Sequence, residues 1–287
     1  HCTVHSHETP VKSVMFNPYT SGREHSFQKV NLDLYPKGNE QGLREIIVDT
    51  EAYTRHDGRY PEQLRDHTIT PGPLSKSCGS AWVGVAGPNG STHVELLVSV
   101  YPPRPASRSK VPKPQGQIEC RVRTVSGKEH EGKQELARSV ETAMMCVARR
   151  ESFPFCFVVL DILIVSGDIS GDRESILACA INGAGVAMAH AGIELASVPV
   201  AIPFALHASS LLLLDHDSEE RKLIGPSPKG VVVVGIRDGK ANQILHVDIQ
   251  GVFEDASLLA DSLRQISEGS VAVFEACIRP AYLKILN

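Results

Sequence analysis

Four consecutive residues place two carboxylates, a guanidinium and a hydroxyl group directly ahead of a long apolar segment. Asp172, Arg173, Glu174 and Ser175 precede residues 176–190, most of which are small and apolar. The N-terminus of a helix attracts anions through its free backbone N–H groups, and a carboxylate there can also cap the helix. Asp172 could therefore be a cap or a catalytic group, and the residues alone leave both roles open.

A second acidic group lies further along the chain. Asp215 and Asp217 follow an apolar stretch, and Glu219 and Glu220 come after them, separated by Ser218. Residues two apart on a strand point to the same face, so a strand would bring the two aspartates together. In a loop they would simply be solvated, and both placements are compatible with the sequence.

Basic residues are concentrated in one part of the chain. Residues 104–116 are rich in proline and lack acidic side chains, and residues 118–125 alternate like a strand. A solvated loop is the alternative, but adjoining strand arginines favour contact with a phosphate backbone. The predicted RNA-binding residues are Arg104, Arg108, Lys110, Lys113, Arg121 and Arg123.

The overall composition is typical of a soluble globular protein. The 287 residues carry a formal charge of −4, so any binding to nucleic acid must depend on a local basic patch. No apolar run reaches the roughly 18 residues of a membrane-spanning helix, and the seven cysteines lack the spacing of a zinc site. We therefore expect no metal and no cofactor. The first residue is His1 rather than Met, which leaves a preceding targeting segment open.

The predicted elements indicate a mixed α+β fold. Residues 1–25 are polar without hydrophobic periodicity, which predicts a flexible extension, and residues 26–287 are predicted to form a single domain. Residues 69–74 and 79–85 should form one β-segment, paired as a hairpin with residues 92–100, where Tyr101 and two prolines should end the strand. Further strands are predicted at 118–125, 157–165, 198–206, 209–215, 230–236 and 243–249, and helices at 128–150, 176–191 and 253–277. Small residues on every face of the second helix predict that it is buried at the centre.

Several of these segments resemble the RNase PH family in order and spacing. The segments are Arg55-His-Asp-Gly-Arg59 with Arg65, Gly72-x-Leu74, Gly79-Ser-Ala81, Thr92-His-Val, residues 177–184 and 189–193, and Leu214-Asp215 with Glu219-Glu220. The resemblance extends over roughly residues 50–280. Within the family, the sequence is more similar to a core ring subunit of the eukaryotic RNA exosome, of the archaeal catalytic-subunit type, than to bacterial RNase PH.

The resemblance implies an architecture, partners and a cellular setting. It implies an RNase PH-like fold, in which mixed β-sheets pack against a central small-residue helix and a C-terminal helix. It also implies a six-membered ring of RNase PH-like subunits, RNA-binding cap subunits, RNA in the central channel and an associated hydrolytic ribonuclease. The expected setting is RNA processing and decay, including that of rRNA, in the nucleus, the nucleolus and the cytoplasm.

The family's catalytic residues are matched only in part. Active members cleave RNA with inorganic phosphate, and the family places an aspartate, two glycines and a hydroxyl residue, often followed by arginine, at the start of the central helix. Asp172 and Ser175 match the aspartate and the hydroxyl, but Arg173 and Glu174 replace the glycines and no arginine follows Ser175. Glu174 would repel a phosphate there, unless Arg173 pointed inward and offset its charge.

Two further matches are also degenerate. Asp168 competes with Asp172 for the position of the family's aspartate, and Asp215 stands where active members have paired aspartates followed by lysine. We therefore expect a non-catalytic ring subunit that contacts RNA. The alternatives are an active phosphate-dependent 3′-to-5′ exoribonuclease and, in a different class, a metabolic α+β enzyme unrelated to RNA.

Overall fold

A buried helix lies between two β-sheets in the computed structural model. The structure describes residues 55–87, 92–105, 113–127, 132–207, 211–253 and 255–286, and all of these belong to one compact unit. The predicted extension at residues 1–25 lies outside the described residues, as do Arg108 and Lys110. The division into an extension and a single domain therefore stays a prediction.

The first sheet has five strands in the order β1-β2-β3-β5-β4. All neighbours in this sheet are antiparallel except β4 and β5, which run parallel. The strands are β1 (His67–Pro71), β2 (Gly79–Ala86), β3 (Thr92–Pro105), β4 (Gln117–Thr124) and β5 (Cys156–Ser166).

The second sheet has four antiparallel strands in the order β7-β6-β8-β9. They are β6 (Val198–His207), β7 (Leu211–Leu214), β8 (Lys229–Arg237) and β9 (Lys240–Gln250). The helices are α1 (Gly132–Val147), α2 (Arg173–His190), α3 (Ser218–Ile224), α4 (Ala256–Val273) and α5 (Arg279–Leu286), with a π-helical turn at Phe274–Ile278. The mixed α+β architecture confirms the predicted fold class. None of the described helices is long and apolar enough to cross a membrane.

Close approach on two faces explains the small residues of α2. A Cβ atom on Gly183 would lie 2.7 Å from Val83 Cγ2 of β2, and one on Gly185 would lie 2.6 Å from Pro199 Cγ of β6. The helix therefore contacts both sheets at distances that only glycine permits. Asn182 adds a polar connection, because its side chain accepts a hydrogen bond from Ala201 N at 2.7 Å and donates one to Ala201 O at 3.1 Å.

The C-terminus of α2 has the predicted glycine cap. Gly192 has φ +73°, its N–H donates to Ala189 O at 3.0 Å, and Ile193 N–H donates to Met188 O at 3.0 Å. This is the Schellman arrangement, in which a left-handed glycine satisfies the last free carbonyl groups of a helix.

Two predicted strand boundaries are wrong. Residues 69–74 and 79–85 do not form one segment: they contribute to β1 and β2, which pair antiparallel around a turn at Gly72. Strand β3 does not end at Tyr101 but continues to Pro105, with an irregularity between Tyr101 and Arg104. Strand β2 pairs with β3 only as far as Val100. Pro102 and Pro103 lie beyond that point, where one side of β3 has no described strand beside it. A backbone N–H group is not needed on that side, so proline is tolerated there.

The predicted helix boundaries need smaller corrections. The first helix ends at Val147, before the predicted end at residue 150, because residues 150–152 form a separate 3₁₀ turn. The central helix begins at Arg173, three residues before residue 176, so Glu174 and Ser175 lie in its first turn. The C-terminal helix is divided by the π-helical turn into α4 and α5.

Candidate functional site

Four segments meet at the N-terminus of α2. They are the loop of residues 55–65, the start of β3, the loop before α2 and the residues that follow β7. Strand β7 delivers Asp215 to this place, and the left-handed backbone of Asp215, with φ +51°, turns the chain away from the sheet. The residues that resemble the family's catalytic groups are therefore on neighbouring segments, and their contacts determine what the site can do.

Arg65 joins two of the degenerate catalytic matches. Its Nη2 lies 2.5 Å from Asp215 Oδ1 and 2.7 Å from Ser175 Oγ, and its backbone N–H donates to Asp215 Oδ2 at 2.8 Å. His67 Nε2 lies 3.1 Å from the same Oδ2. Burial opposes ionisation of Asp215, but the charges of Arg65 and His67 hold its pKa well below the ordinary value. The structure thus brings Ser175 and Asp215 together through one guanidinium.

Part of the Arg65 guanidinium has no partner among the described residues. Its Nε and Nη1 atoms are buried and form no hydrogen bond there, although the side chain is only 4% exposed. Burial alone would lower the pKa of Arg65. The charge of Asp215 outweighs burial and raises the pKa above its ordinary value, so the guanidinium stays charged. The guanidinium of Arg65 therefore contacts Asp215 and Ser175 inside the protein.

Asp172 is at the N-cap position but does not cap the helix. Its carboxylate lies 2.7 Å from His93 Nε2 and accepts a hydrogen bond from Asp168 N at 3.2 Å, with no bond to the N–H groups of α2. The carboxylate of Asp168 accepts from Ser170 N at 3.2 Å and Gly171 N at 3.1 Å, which closes the loop before the helix. Both aspartates are therefore engaged within the protein.

Glu174 is a fully buried carboxylate in the first turn of α2. Its Oε2 lies 3.2 Å from Arg221 Nε and 3.6 Å from His216 Nε2. Burial raises the pKa of Glu174, but His216 and Arg221 outweigh it and hold the pKa below the ordinary value. A negative charge is favourable at this end of a helix. Glu174 thus places an internal anion, next to Arg221 and His216, at the helix N-terminus.

Arg173 does not offset the charge of Glu174 from inside the site. Its Nη2 lies 2.8 Å from Glu135 Oε1 of α1 and 3.1 Å from Asp248 Oδ2 of β9. These ion pairs connect the start of α2 to two other elements. The two residues that replace the family's glycines are therefore both held by structural ion pairs.

The second acidic group stabilises α3. Asp217 is not on a strand with Asp215: its Oδ1 accepts from Glu219 N and Glu220 N at 2.9 Å, and Glu220 accepts from Asp217 N at 3.0 Å. This is a capping box. Arg55 Nε and Nη2 each lie 2.5 Å from the Glu220 carboxylate in a bidentate pair. The arginine that opens the family-like segment thus has a structural role.

The described members of the basic set lie in two environments. On the outer face of β4, Arg123 pairs with Asp161, and Arg121 Nη2 lies 3.2 Å from Glu119 Oε1. At the end of β3, Arg104 lies over the ring of Tyr101 with its Cζ 5.8 Å from the centroid, and Lys113 is exposed before β4. Nothing in the structure tests RNA binding by these residues, so their assignment stays a prediction.

Sequence reasoning missed the contacts that organise the site. Arg65 and His93 appeared only as parts of segments that resemble the family, because their partners are far away in the sequence. The capping box could have been found, since Asp217 and Glu220 have the spacing that defines it. Among the residues that the structure describes, no cluster of three or more His, Cys, Asp or Glu side chains could hold a metal ion.

Comparison with known proteins agrees with this architecture. Residues 63–194 match the model of the 3′ exoribonuclease family, domain 1, also called RNase PH. This part of the chain is therefore similar to an RNase PH domain. It is 29% identical over 172 residues to the exosome complex exonuclease RRP46 homolog of Oryza sativa subsp. japonica, covering 59% of this chain and 67% of that protein. It is also 29% identical over 172 residues to the homolog of the same name in Arabidopsis thaliana, covering 58% and 66%.

Solved structures share the fold of the RNase PH domain. The crystal structure of rice Rrp46 has a TM-score of 0.68 at 22% identity, covering 80% of this chain and all of that one. The archaeal exosome core has a TM-score of 0.57 at 19% identity, covering 82% and 92%. The exosome of Archaeoglobus fulgidus with RNA bound to the active site has a TM-score of 0.59 at 18% identity, covering 80% and 92%. At these identities the likeness shows the fold.

Proposed function

We propose that this protein is a non-catalytic subunit of an RNA exosome core ring that supports 3′-to-5′ RNA processing and decay. The names of the plant relatives and the fold shared with archaeal exosome core subunits support the assembly. The buried carboxylate of Glu174 carries the proposal that catalysis is absent. It places a negative charge in the first turn of α2, where a phosphate nucleophile would need backbone donors and positive charge.

The other matched residues support the same proposal. Asp172 is engaged by His93 and the loop before the helix, and Asp215 and Ser175 share the guanidinium of Arg65. In an active site these groups would have to contact the metal ion, phosphate or RNA. Here each is used to hold the protein together.

The proposed partners are the other RNase PH-like subunits of a six-membered ring, RNA-binding cap subunits, RNA and an associated hydrolytic ribonuclease. The proposed location is the nucleus, including the nucleolus, and the cytoplasm. Affinity purification of the tagged chain from each cell fraction, followed by identification of the bound proteins, tests both. Recovery without any RNase PH-like partner would contradict the ring proposal.

One observation favours the second candidate, an active phosphate-dependent exoribonuclease. Asp172, Ser175 and Asp215 are all retained, and Arg65 brings the last two within hydrogen-bonding distance of one guanidinium. The two candidates differ in one assay. Labelled RNA is incubated with phosphate and Mg²⁺, and with the chain alone or in its purified assembly.

Under the proposal, the chain leaves the RNA intact and releases no nucleoside diphosphate. Phosphate-dependent release of nucleoside diphosphates that disappears in the Asp172→Ala variant would establish the exoribonuclease instead. Glu135→Ala is the matched control, because Glu135 is an exposed carboxylate that pairs with Arg173 away from Asp215.

A further inference from the structure

The amine of Lys229 is held in one position at the start of β8. Its Nζ donates to Gly225 O at 2.6 Å, and the residue is half-buried. Gly225 ends α3 with φ +63°, and Pro226 and Pro228 lie between it and Lys229. Proline fixes the backbone angle φ, so this short loop is stiff and keeps the carbonyl group beside the amine. The contact therefore places the nitrogen atom of a lysine at a defined site.

Lys229 has no carboxylate within ion-pair distance among the described residues, although a carboxylate lies in the same region. This is Glu174, whose Oε2 lies 3.2 Å from Arg221 Nε and 3.6 Å from His216 Nε2. Arg221 also donates from Nη1 to Ser170 O. The anion is thus already paired, and Lys229 shares its surroundings with the guanidinium of Arg221.

These surroundings favour the neutral amine of Lys229. Burial and the charge of Arg221 lower the pKa of Lys229 below its ordinary value, and the charge of Glu174 opposes them only in part. Lys222 on α3 shows the opposite case, because its Nζ lies 2.8 Å from Glu219 Oε1 and this contact raises its pKa. A lysine that is desolvated and next to another cation is an activated nucleophile. Lys229 meets both conditions.

We propose that Lys229 is an acyl-acceptor site that takes an acyl group from a thioester. The neutral Nζ attacks the thioester carbonyl carbon, a C–N bond forms and the C–S bond breaks. The thiolate leaves with the bonding electron pair, and it takes up the proton that the nitrogen atom loses. The products are an amide and a thiol, with no change in oxidation state.

The contacts of Lys229 favour an acyl group over an aldehyde. An amide N–H can still donate to Gly225 O, while the positive charge beside Arg221 is removed. An aldehyde would form an imine, which is protonated at neutral pH and would keep that charge next to Arg221. The proposed site requires neither RNA nor ring neighbours, so it is independent of the proposed function.

The test compares the acylation rates of three lysines in one full chain. The protein is treated near neutral pH with the acetyl thioester of N-acetylcysteamine, and peptide mass spectrometry follows acetylation of Lys229, Lys222 and Lys240. Lys240 is an exposed lysine at the start of β9 and serves as the reference. In the folded chain, Lys229 should be acetylated several-fold faster than Lys222. In urea, where the three environments are lost, the rates should converge.

The pH dependence of acetylation identifies the cause of the reactivity. Because only the neutral amine reacts, the rate for Lys229 should reach its midpoint at a lower pH than the rate for Lys222. Arg221→Gln removes the neighbouring cation and should shift the Lys229 midpoint to higher pH. Glu219→Gln is the matched control, because it removes the partner of Lys222. It should speed acetylation of Lys222 and leave Lys229 unchanged.

Two outcomes would overturn the proposal. A Lys229 rate at or below that of Lys222 in the folded chain would show that the amine is shielded or protonated. A Lys229 midpoint at or above that of Lys222 would show that its surroundings do not favour the neutral amine. Both are measured on the wild type, so they decide the proposal even if Arg221→Gln fails to fold through loss of the Glu174 pair.

Discussion

At the scale of single residues, a buried arginine rather than a carboxylate organises the site. Arg65 contacts Asp215 and Ser175, which lie forty residues apart in the sequence, so its removal would leave a buried charge uncompensated. Glu174 provides a second buried charge, which lies next to Arg221 and His216. Retention of family-like residues at these positions is explained by stability. Their presence therefore does not by itself indicate catalysis.

Glu174→Gln should destabilise the protein and create an affinity for phosphate. The change leaves His216 and Arg221 without an anion, and loss of one partner of a buried pair costs about 2–4 kcal/mol where one side keeps some solvent contact. Inorganic phosphate should then raise the melting temperature of the variant but not of the wild type. Urea unfolding and thermal scans with and without phosphate measure both effects.

The matched control is Glu135→Gln, which removes an exposed carboxylate that also pairs with an arginine. Its unfolding free energy should change by less than about 1 kcal/mol. A Glu174→Gln variant as stable as the wild type would show that the internal anion is not needed.

Stability should fall in acid through Asp215. The folded pKa of Asp215 lies well below 3.8, its ordinary value, because of Arg65 and His67. A carboxyl group with a lowered folded pKa contributes its stabilisation fully above its unfolded pKa, and this is lost as the pH falls through the folded pKa. The unfolding free energy should therefore decline below about pH 4. Asp215→Asn should be less stable by about 3–5 kcal/mol at pH 7 and should show a shallower acid decline.

Urea titrations between pH 2 and pH 7 would measure this dependence. Asp261→Asn serves as the comparison, since Asp261 is an exposed carboxylate on α4. It should keep the acid decline of the wild type. An equal acid slope in wild type and Asp215→Asn would rule out Asp215 as its source.

At the scale of secondary-structure elements, α2 determines the distance between the two sheets. Its glycines contact β2 on one side and β6 on the other, and Asn182 attaches it to Ala201. At Gly183 and Gly185 no side chain separates the helix from the facing strand, so β2 and β6 approach its backbone directly there. The N-terminus of α2 is held differently, by ion pairs of Arg173 with Glu135 of α1 and Asp248 of β9.

Gly183→Ala should destabilise the fold by about 1–3 kcal/mol, the usual cost of overpacking a core. The added methyl group would lie 2.7 Å from Val83 Cγ2, so β2 or α2 would have to move. Gly171→Ala is the control, because its Cβ would meet mainly the Asp168 carboxylate, at 3.2 Å, in the loop before the helix. Chemical denaturation compares the two. Equal stability of Gly183→Ala and the wild type would mean that this contact is loose.

The elements themselves were largely predictable, whereas the ion pairs between them were not. The run of small residues predicted the burial of α2, and alternation predicted most strands, because both depend on local periodicity. The continuation of β3 through Tyr101 was missed, since it depends on which neighbours the strand has at that point. The contacts of Arg65 and Glu174 join residues distant in sequence, and no local pattern records them.

At the scale of the whole molecule, charge is unevenly distributed. The formal charge is −4, so long-range attraction of RNA is not expected, and binding must depend on local cations. Arg121 and Arg123 are paired with carboxylates, while Arg104, Lys113 and Arg150 have none among the described residues. An RNA strand should therefore be positioned at one end of the first sheet.

The salt dependence of RNA binding by the full chain should report the phosphate contacts of Arg104, Lys113 and Arg150. Each phosphate contact on a single strand contributes about −0.7 to the slope of log K against log salt, so three cations predict a slope of roughly −2. Arg104→Glu should make the slope shallower by about 0.7 and weaken binding. Arg237→Glu, an exposed site on the β8–β9 hairpin, changes the formal charge by the same −2, from −4 to −6. Because only a local contact alters the slope, the second variant should match the wild type. Equal slopes in both variants would mean that net charge, rather than a phosphate contact of Arg104, controls RNA binding.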